Sequence, residues 1–162
     1  MEEKGDNMSF REMRRKDRQV YDDLINEILE NGEYGVLSTM GENGYPYGVP
    51  VNFVYYNDGI YFHCAKTGHK LEAIKRDNRV SFCVVTDTEI LPEDFTANYK
   101  SVIAFGTAGE VELEEKKMAL MLLIKKYSSG FMDKGREYVN KEAAGTVIIK
   151  ISIEHITGKA RM

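Results

Sequence analysis

The amino-acid sequence predicts a mainly β fold: an antiparallel barrel of six strands, closed or nearly closed, with helices packed on its outside. Hydrophobic residues alternate with a period of two in six segments, which is the pattern of strands with one buried face. Tight turns join consecutive segments, so neighbouring strands pair antiparallel and a doubly wound fold is excluded. No GxGxxG or P-loop spacing occurs, so any bound phosphate must be held in another way.

Composition limits the chain to one domain and narrows its partners. With 162 residues and 43% hydrophobic content, the chain can bury one proper core but not two. A formal net charge of −4 argues against a nucleic-acid partner, which would need a basic stripe. No apolar segment approaches the roughly 20 residues of a membrane span, so we expect a cytoplasmic protein with no membrane partner. The basic residues from Arg11 to Arg18 are typical of a solvated arm. We therefore predict a flexible arm (1–14) and one domain (15–162).

A change in the spacing of apolar residues marks where the first helix ends and the first strands begin. Apolar residues from Val20 to Leu29 repeat at helical spacing, and the pattern stops at Asn31-Gly32, a usual C-terminal signal. After this helix the period becomes two. Four successive strands are predicted at YGVLSTMG, YGVPVNFVYY, IYFHCA and RVSFCVVT. The sequence Asn57-Asp58-Gly59 predicts a tight hairpin between the second and third of them.

A short helix over 68–77 interrupts the strands, and the remaining elements follow it. A long strand is predicted from Ser101 to about Glu112. The next helix has an acidic start at Glu114 and a basic end at Lys126, which suits the helix dipole. The last strand, TVIIKISIEHI, has apolar residues at alternate positions and should be half buried.

Lys70 occupies an unusual position in the segment HCAKTGHKLEAI. Thr67 is a suitable N-cap, which would place Lys70 in the first turn of the helix. A cation there is disfavoured by roughly 0.3 to 1 kcal/mol unless an anion lies between it and the helix N-terminus. The free N–H groups of a first turn bind phosphate well, so the position favours a phosphate site. An exposed lysine that simply tolerates its position is the alternative.

Two further observations concern the strands beside Lys70. Gly48 and Pro50 interrupt the strand GVPVNF, as residues at a sheet edge, at a bulge or beside a ligand do. His63 and Cys64 are adjacent in a strand and point to opposite faces, so they do not easily bind one metal ion, and we expect no metal site. No nucleophile elbow or catalytic cysteine signature is present.

At these residues the chain resembles the pyridoxamine 5′-phosphate oxidase-like, FMN-binding split-barrel superfamily. The resemblance lies in GYPYGVPVNFVYYNDGIYFHCAKTGHKLEAIKRDNRVSFCVV, where a Gly-x-Pro strand leads to a hairpin, a strand and a Lys-headed helix. The motif His63-x-Ala65-x-x-Gly68-x-Lys70, with YKSVIAFGTAGEV and ISIEHITGK later, is most similar to the Nim-type 5-nitroimidazole-resistance proteins. The resemblance implies a homodimeric split barrel with FMN as the cofactor.

The resemblance also implies which residues hold FMN. Lys70 would bind the phosphate, with His69 beside it and a hydroxyl from Ser101. The isoalloxazine ring would lie against two strand segments, Pro50, Val51 and Asn52 in one and His63, Cys64 and Ala65 in the other. His63 matches the active-site histidine of the Nim-type proteins, and its implied role is to donate a hydrogen bond or proton to a bound acceptor while the reduced flavin delivers hydride.

The implied function is an FMN-dependent reductase of nitro-type or other electron-poor small molecules, fed by a nicotinamide nucleotide or another cellular reductant. Vitamin B6 synthesis is not expected, because His69-Lys70 replaces the Arg-Lys pair of the true oxidases and the end ITGKARM lacks their substrate-phosphate motif. A pyridoxamine 5′-phosphate oxidase-like oxidase of another substrate stays open. So does a non-catalytic flavin- or haem-binding module, in which His63 or His155 would ligate the iron.

Overall fold

The computed structural model describes residues 9–162, and the order of its elements begins with a short strand and a helix. The strands are β1 (Gln19–Val20), β2 (Gly35–Met40), β3 (Pro46–Val51), β4 (Val54–Tyr56), β5 (Gly59–Cys64), β6 (Arg79–Leu91), β7 (Thr96–Glu110) and β8 (Val147–Arg161). The helices are α1 (Asp22–Asn31), α2 (His69–Arg76), α3 (Leu113–Tyr127) and α4 (Met132–Glu142).

The described part of the chain forms one antiparallel sheet of eight strands, so the prediction of six was wrong. The order is β3-β2-β6-β7-β8-β5-β4, and β1 pairs separately with β8. One extra strand is β1, whose two residues are too few to show a period. The other arises because YGVPVNFVYY divides at Asn52 and Phe53, where the Phe53 N–H donates to the Tyr127 hydroxyl (3.0 Å) instead of to a strand.

The sheet curls into a barrel that is split at one seam. Its two edge strands, β3 and β4, follow one another in the chain, separated only by Asn52 and Phe53. The edges are therefore joined by the covalent chain but not by a ladder of hydrogen bonds. Of the alternatives left open for Gly48 and Pro50, the structure shows the edge position, because β3 pairs with β2 alone.

The barrel interior holds the main hydrophobic core. Inward-facing residues of most strands meet there with side chains from α1 and α2, which cover the barrel ends, and Ile28, Leu29, Leu71 and Ile74 are all buried. Helix α1 ends at Asn31 with Gly32 as its C-cap, as predicted, but it begins at Asp22 because Val20 belongs to β1. The predicted hairpin is also confirmed, with Asn57 and Asp58 at positive φ between β4 and β5.

A second hydrophobic cluster lies on the outside of the barrel. There α3 and α4 cover the outer face of β4, β5 and β8, and Leu120 and Leu123 pack with Tyr61 and Ile148. The sequence pattern predicts α3 but not α4. Helix α4 approaches α3 closely at Gly135, where an added Cβ would lie 2.5 Å from a methyl carbon of Ile124.

The predicted arm is only partly covered by the described residues. Residues 1–8 lie outside them, whereas the Phe10 ring stacks on His155 with centroids 4.7 Å apart. The boundary proposed between residues 14 and 15 stays a prediction. Within 9–162, no helix is both long enough and apolar enough to cross a membrane.

Candidate functional site

Strand β5 ends in two side chains with opposite environments. Cys64 is buried in the barrel interior, and burial raises the pKa of its thiol. His63 points outward and is exposed, although its strand neighbours are buried. This confirms that the two side chains face opposite sides of the sheet. Within residues 9–162, no group of three or more His, Cys, Asp and Glu side chains is arranged to hold a metal ion.

Helix α2 begins directly after β5 and presents free donors. The structure makes Gly68, not Thr67, the N-cap, with no side-chain cap, so the predicted role of Thr67 was wrong. Gly68 has φ 135° and ψ 163°, a region that residues with a Cβ rarely adopt. Its carbonyl accepts from the N–H groups of Leu71 and Glu72. The N–H groups of the first two helical residues, His69 and Lys70, have no partner among the described residues.

Lys70 lies in this first turn, as predicted, and is half-buried. Among residues 9–162, no carboxylate lies within ion-pair distance of its ammonium group. The free N–H groups, the positive end of the helix and the ammonium group together form a set of donors suited to an anion.

Edge strand β3 runs between this helix start and His63. At one end the Tyr47 ring stacks on His69, with centroids 4.1 Å apart. Just beyond the other end, Asn52 lines the same cavity as His63. The five steps between Tyr47 and Asn52 span about 17 Å of extended chain. Pro50 and Val51 lie on this edge, opposite Val36 and Gly35.

The cavity beside His63 has a volume of about 270 Å³ and lies between β5, the β3–β4 link and the two outer helices. Its lining is Asn52, His63, Leu120, Leu123, Ile124, Tyr127, Ser128, Tyr138 and Thr146.

Tyr127 fixes the shape of this cavity where it meets the β3–β4 link. Its hydroxyl accepts from the Phe53 N–H (3.0 Å) and donates to the Glu33 carbonyl (2.7 Å). Asn52 Nδ2 donates to the same carbonyl at 2.9 Å. Burial is the main cause that raises the pKa of Tyr127. The Tyr127 hydroxyl thus ties the β3–β4 link to the segment before β2, and Asn52 is held at the cavity by its own hydrogen bond to the Glu33 carbonyl.

Ser101 shows no hydrogen bond or strand pair to another predicted site residue among the described residues. It lies near the start of β7, opposite Val85 and Lys159, and its hydroxyl is 3.5 Å from the Lys159 carbonyl. Seven residues further along β7, about 23 Å of extended strand, the Ala108 N–H donates to the Asn78 carbonyl (2.8 Å), two residues after the end of α2. The strand pairs and the hydrogen bond of Ser101 itself involve no residue of α2 among the described residues.

The other predicted site residues lie in or just after β3, at or just after the end of β5, and at the start of α2. The start of α2 contacts β3 through His69 and Tyr47, and Asn52 and His63 line one cavity. Sequence reasoning missed the cavity walls, above all Tyr127 and Tyr138. No local pattern marks them, because tyrosines at the end of one helix and within another look like ordinary surface residues. Gly68 could have been identified, since a glycine before a helix often serves as its N-cap.

The fold is that of the split-barrel class. It is an antiparallel barrel that is open between two edge strands, and a helix N-terminus that can bind an anion lies beside one of them. The sequence profile of the family described as pyridoxamine 5′-phosphate oxidase matches residues 22–160, and the chain belongs to this family. The match confirms the resemblance found in the sequence. A search among curated protein sequences gave no match.

Solved structures with the same fold carry several different descriptions. One, described as a candidate 5-nitroimidazole antibiotic resistance protein from Bacteroides thetaiotaomicron, has TM-score 0.72 and 23% identity over 88% of this chain and 86% of its own. The flavocytochrome Anf3 from Azotobacter vinelandii has TM-score 0.78 and 22% identity over 93% and 72%. An FAD- and heme-binding protein from Mycobacterium smegmatis has TM-score 0.78 and 18% identity over 88% and 73%. At these identities the similarity shows the fold alone.

Proposed function

We propose that this protein is an FMN-dependent reductase of electron-poor small molecules such as nitro compounds, and that it works as a homodimer. One observation carries the proposal: Lys70 and the α2 N-terminus have unpaired donors, and α2 begins directly after β5, the strand that carries the exposed His63. A flavin mononucleotide would fit this arrangement, with its phosphate at Lys70 and the α2 N-terminus and its redox-active ring beside His63.

The donor set suits the FMN phosphate. Lys70 supplies a positive charge, and the backbone N–H groups of His69 and Lys70 supply two directed hydrogen bonds. The imidazole of His69 is held beside them by stacking on Tyr47. The isoalloxazine ring would lie against Pro50, Val51 and Asn52 and the backbone of residues 63–65, where the edge of β3 leaves polar backbone groups free to face a ligand.

Reduced FMN, when bound, would supply a hydride, which carries two electrons and one proton, and the second proton would come from His63. A nitro group that takes up two electrons and two protons becomes a nitroso group and releases one water, so atoms and charges balance. His63 faces outward at this place, and its imidazole can donate a proton to the nitro oxygen that leaves as water. The protein thus positions the reactants and supplies a proton, and a nicotinamide nucleotide is the proposed source of electrons.

A second copy would complete the site. The outer surface of β2, β6 and β7 carries an apolar patch, the open face, which α3 and α4 leave uncovered. It consists of Val36, Met40, Cys83, Val85, Ile103 and Phe105. Patches of this kind mark protein interfaces. Ser101 alternates with the buried Val102 and so shares this face. We infer that the open face binds a second copy and that Ser101 of the partner subunit reaches the phosphate.

The substitution Ile103→Glu is expected to split the dimer. Ile103 is 42% exposed in the single chain, so a charge there should leave the monomer folded while opposing burial against a second copy. We expect light scattering to change from dimer to monomer and FMN affinity to fall at least tenfold, because Ser101 of the partner subunit is lost.

Leu113→Glu is the matched control, since Leu113 is 47% exposed at the start of α3, away from the open face. This variant should stay dimeric and keep its FMN. A wild-type protein that is a stable folded monomer with full flavin occupancy would contradict the homodimer.

The substitution Gly68→Ala is expected to damage the phosphate site through the backbone. A Cβ at Gly68 meets no atom within 4 Å, so strain at φ 135° is the only direct effect. This strain is worth about 1–3 kcal/mol, or roughly 3–10 °C in melting temperature for a chain of this size. Relief of the strain would turn the first turn of α2, so we also expect weaker FMN binding.

Gly44→Ala provides the comparison, because Gly44 also has positive φ (81°) and open space around it but lies in the β2–β3 turn. It should lower the melting temperature without changing FMN affinity. An equal loss of FMN affinity in Gly68→Ala and Gly44→Ala would show that Gly68 has no specific role at the phosphate site.

The absorbance spectrum of the purified protein tests the proposed function. Flavin bands that are bleached by a nicotinamide nucleotide and restored by a nitro compound are the expected result. A Soret band without flavin bands would favour the haem-binding alternative, and flavin bands that no nitro compound restores would leave a flavin carrier.

A further inference from the structure

We propose that the cavity beside His63 is the substrate pocket and that it selects a neutral molecule with a single aromatic ring and a hydrogen-bond acceptor. The inference rests on the proposed function for the reaction, but the pocket itself is argued from its own size, charge and polar groups.

The size of the cavity sets the size of the ligand. Its volume is about 270 Å³. A cavity of roughly 150 Å³ holds one benzene molecule, so this one has room for a single ring with substituents. The three-ring isoalloxazine would need roughly three times the space of one ring. The pocket therefore adjoins the proposed flavin ring, with His63 and Asn52 at the boundary between them.

The charge of the lining selects against anions. None of the nine lining residues carries a fixed charge, so an ionised carboxylate or phosphate inside would lack a cation partner. The nearby Lys126 does not line the cavity: its ammonium lies 4.0 Å from the centre of the Phe53 ring and 3.4 Å from the Leu29 carbonyl. A phosphorylated ring such as pyridoxamine 5′-phosphate would therefore be a poor ligand.

The polar groups select a hydrogen-bond acceptor. The hydroxyl of Tyr127 is committed to the backbone, and Thr146 donates to the Glu142 carbonyl (3.0 Å). The side chains of His63, Ser128 and Tyr138 make no hydrogen bond to any described residue. All three can donate, and they stand around an apolar floor. A nitro or carbonyl group on a flat ring would accept from them while the ring packs on the floor.

Helix packing sets the width of the pocket. Leu120, Leu123 and Ile124 of α3 form the floor, and Tyr138 of α4 forms a wall. The two helices meet at Gly135 and Ile124, with no room for a Cβ between them. Ile124 lies within one turn of the C-terminal end of α3 and itself lines the pocket, so the walls are held by the same packing that holds the outer core.

The test compares two probes on the same ring, 4-nitrobenzyl alcohol and 4-nitrobenzoate, by calorimetric titration of the oxidised, FMN-loaded protein and of the flavin-free protein. We expect the neutral alcohol to bind at least tenfold more tightly than the carboxylate. Amide chemical-shift changes on adding the alcohol should centre on His63, Ser128 and Tyr138. Three results would overturn the proposal: equal affinity for the two probes, no binding of the alcohol to the FMN-loaded or the flavin-free protein, or amide chemical-shift changes centred away from the cavity.

Variants locate the ligand. Ser128→Trp fills the cavity from its exposed rim and should weaken binding of the alcohol at least tenfold, whereas Ser129→Trp, one residue further and outside the lining, should not. Tyr138→Phe removes one neutral hydrogen bond and should weaken binding about two- to tenfold. If Ser128→Trp does not fold, Tyr138→Phe decides, and unchanged affinity in that variant would overturn the pocket.

The pocket and the reductase can fail separately. If nitro compounds oxidise the reduced flavin at the same rate in the wild-type protein and in Ser128→Trp, the pocket is wrong although the function stands. If the flavin-free protein binds the alcohol in the cavity but never retains FMN, the pocket stands and the proposed function fails.

Discussion

Replacing Lys70 with glutamate is expected to weaken FMN binding by about a hundred- to ten-thousandfold without loss of the fold. The ammonium group has no carboxylate partner within residues 9–162, so its removal breaks no ion pair there. A carboxylate in the first turn of α2 also suits the positive helix end, by about 0.3–1 kcal/mol. The free energy of unfolding should therefore stay constant or rise slightly.

The size of the expected loss has two parts. A charge-assisted hydrogen bond to the phosphate is worth about 1.5–3 kcal/mol, and it disappears with the ammonium group. A glutamate then opposes a phosphate with like charge, which adds a repulsion of the same order. Lys70→Gln separates the two parts, because it removes the charge without adding repulsion, and it should lose about tenfold to a hundredfold. The measurement is a calorimetric titration with FMN.

Lys75→Glu is the control on the same helix. Lys75 lies in the last turn of α2, where a glutamate opposes the negative helix end. This variant should lose a little stability and keep its FMN affinity, which is the reverse of the pattern expected for Lys70→Glu. If FMN affinity is the same in Lys70→Glu as in the wild type, the phosphate lies elsewhere and Lys70 is an ordinary exposed lysine.

The features that the sequence predicted well are those set by local patterns. The turn at Asn57 and Asp58 follows from residues that accept positive φ, and the end of α1 follows from Asn31-Gly32. The opposite faces of His63 and Cys64 follow from the period of a strand alone. The place of Lys70 in a first turn is equally local.

The features that the sequence did not predict depend on distant partners. The strand divides at Asn52 and Phe53 because a tyrosine 74 residues away accepts the Phe53 N–H. The partners of Ser101, Val85 and Lys159, are set by the register of β7 against β6 and β8. Helix α4 is stabilised by its contact with α3 at Gly135, a residue that weakens the local helix signal.

Replacing His63 with alanine is expected to lower the rate of nitro reduction by roughly a hundred- to ten-thousandfold, the usual range for loss of a general acid. The side chain is exposed and makes no hydrogen bond to any described residue, so its removal leaves no buried partner unsatisfied. We therefore expect melting temperature and FMN content close to those of the wild type. His63→Gln keeps a donor but cannot transfer a proton near neutral pH, and it should recover binding of the nitro compound but not the rate.

The alternative for His63 predicts the opposite pair of results. A histidine that serves the structure would leave its partner unpaired on removal and destabilise the fold by about 1–3 kcal/mol, with little effect on the flavin. Thermal melting and single-turnover oxidation of the reduced flavin by a nitroimidazole, measured on the same sample, distinguish the two. A large fall in melting temperature with an unchanged oxidation rate would exclude His63 from the reaction. The protein would then be a flavin carrier, because the phosphate site at Lys70 binds the cofactor whether or not a proton donor faces the flavin ring.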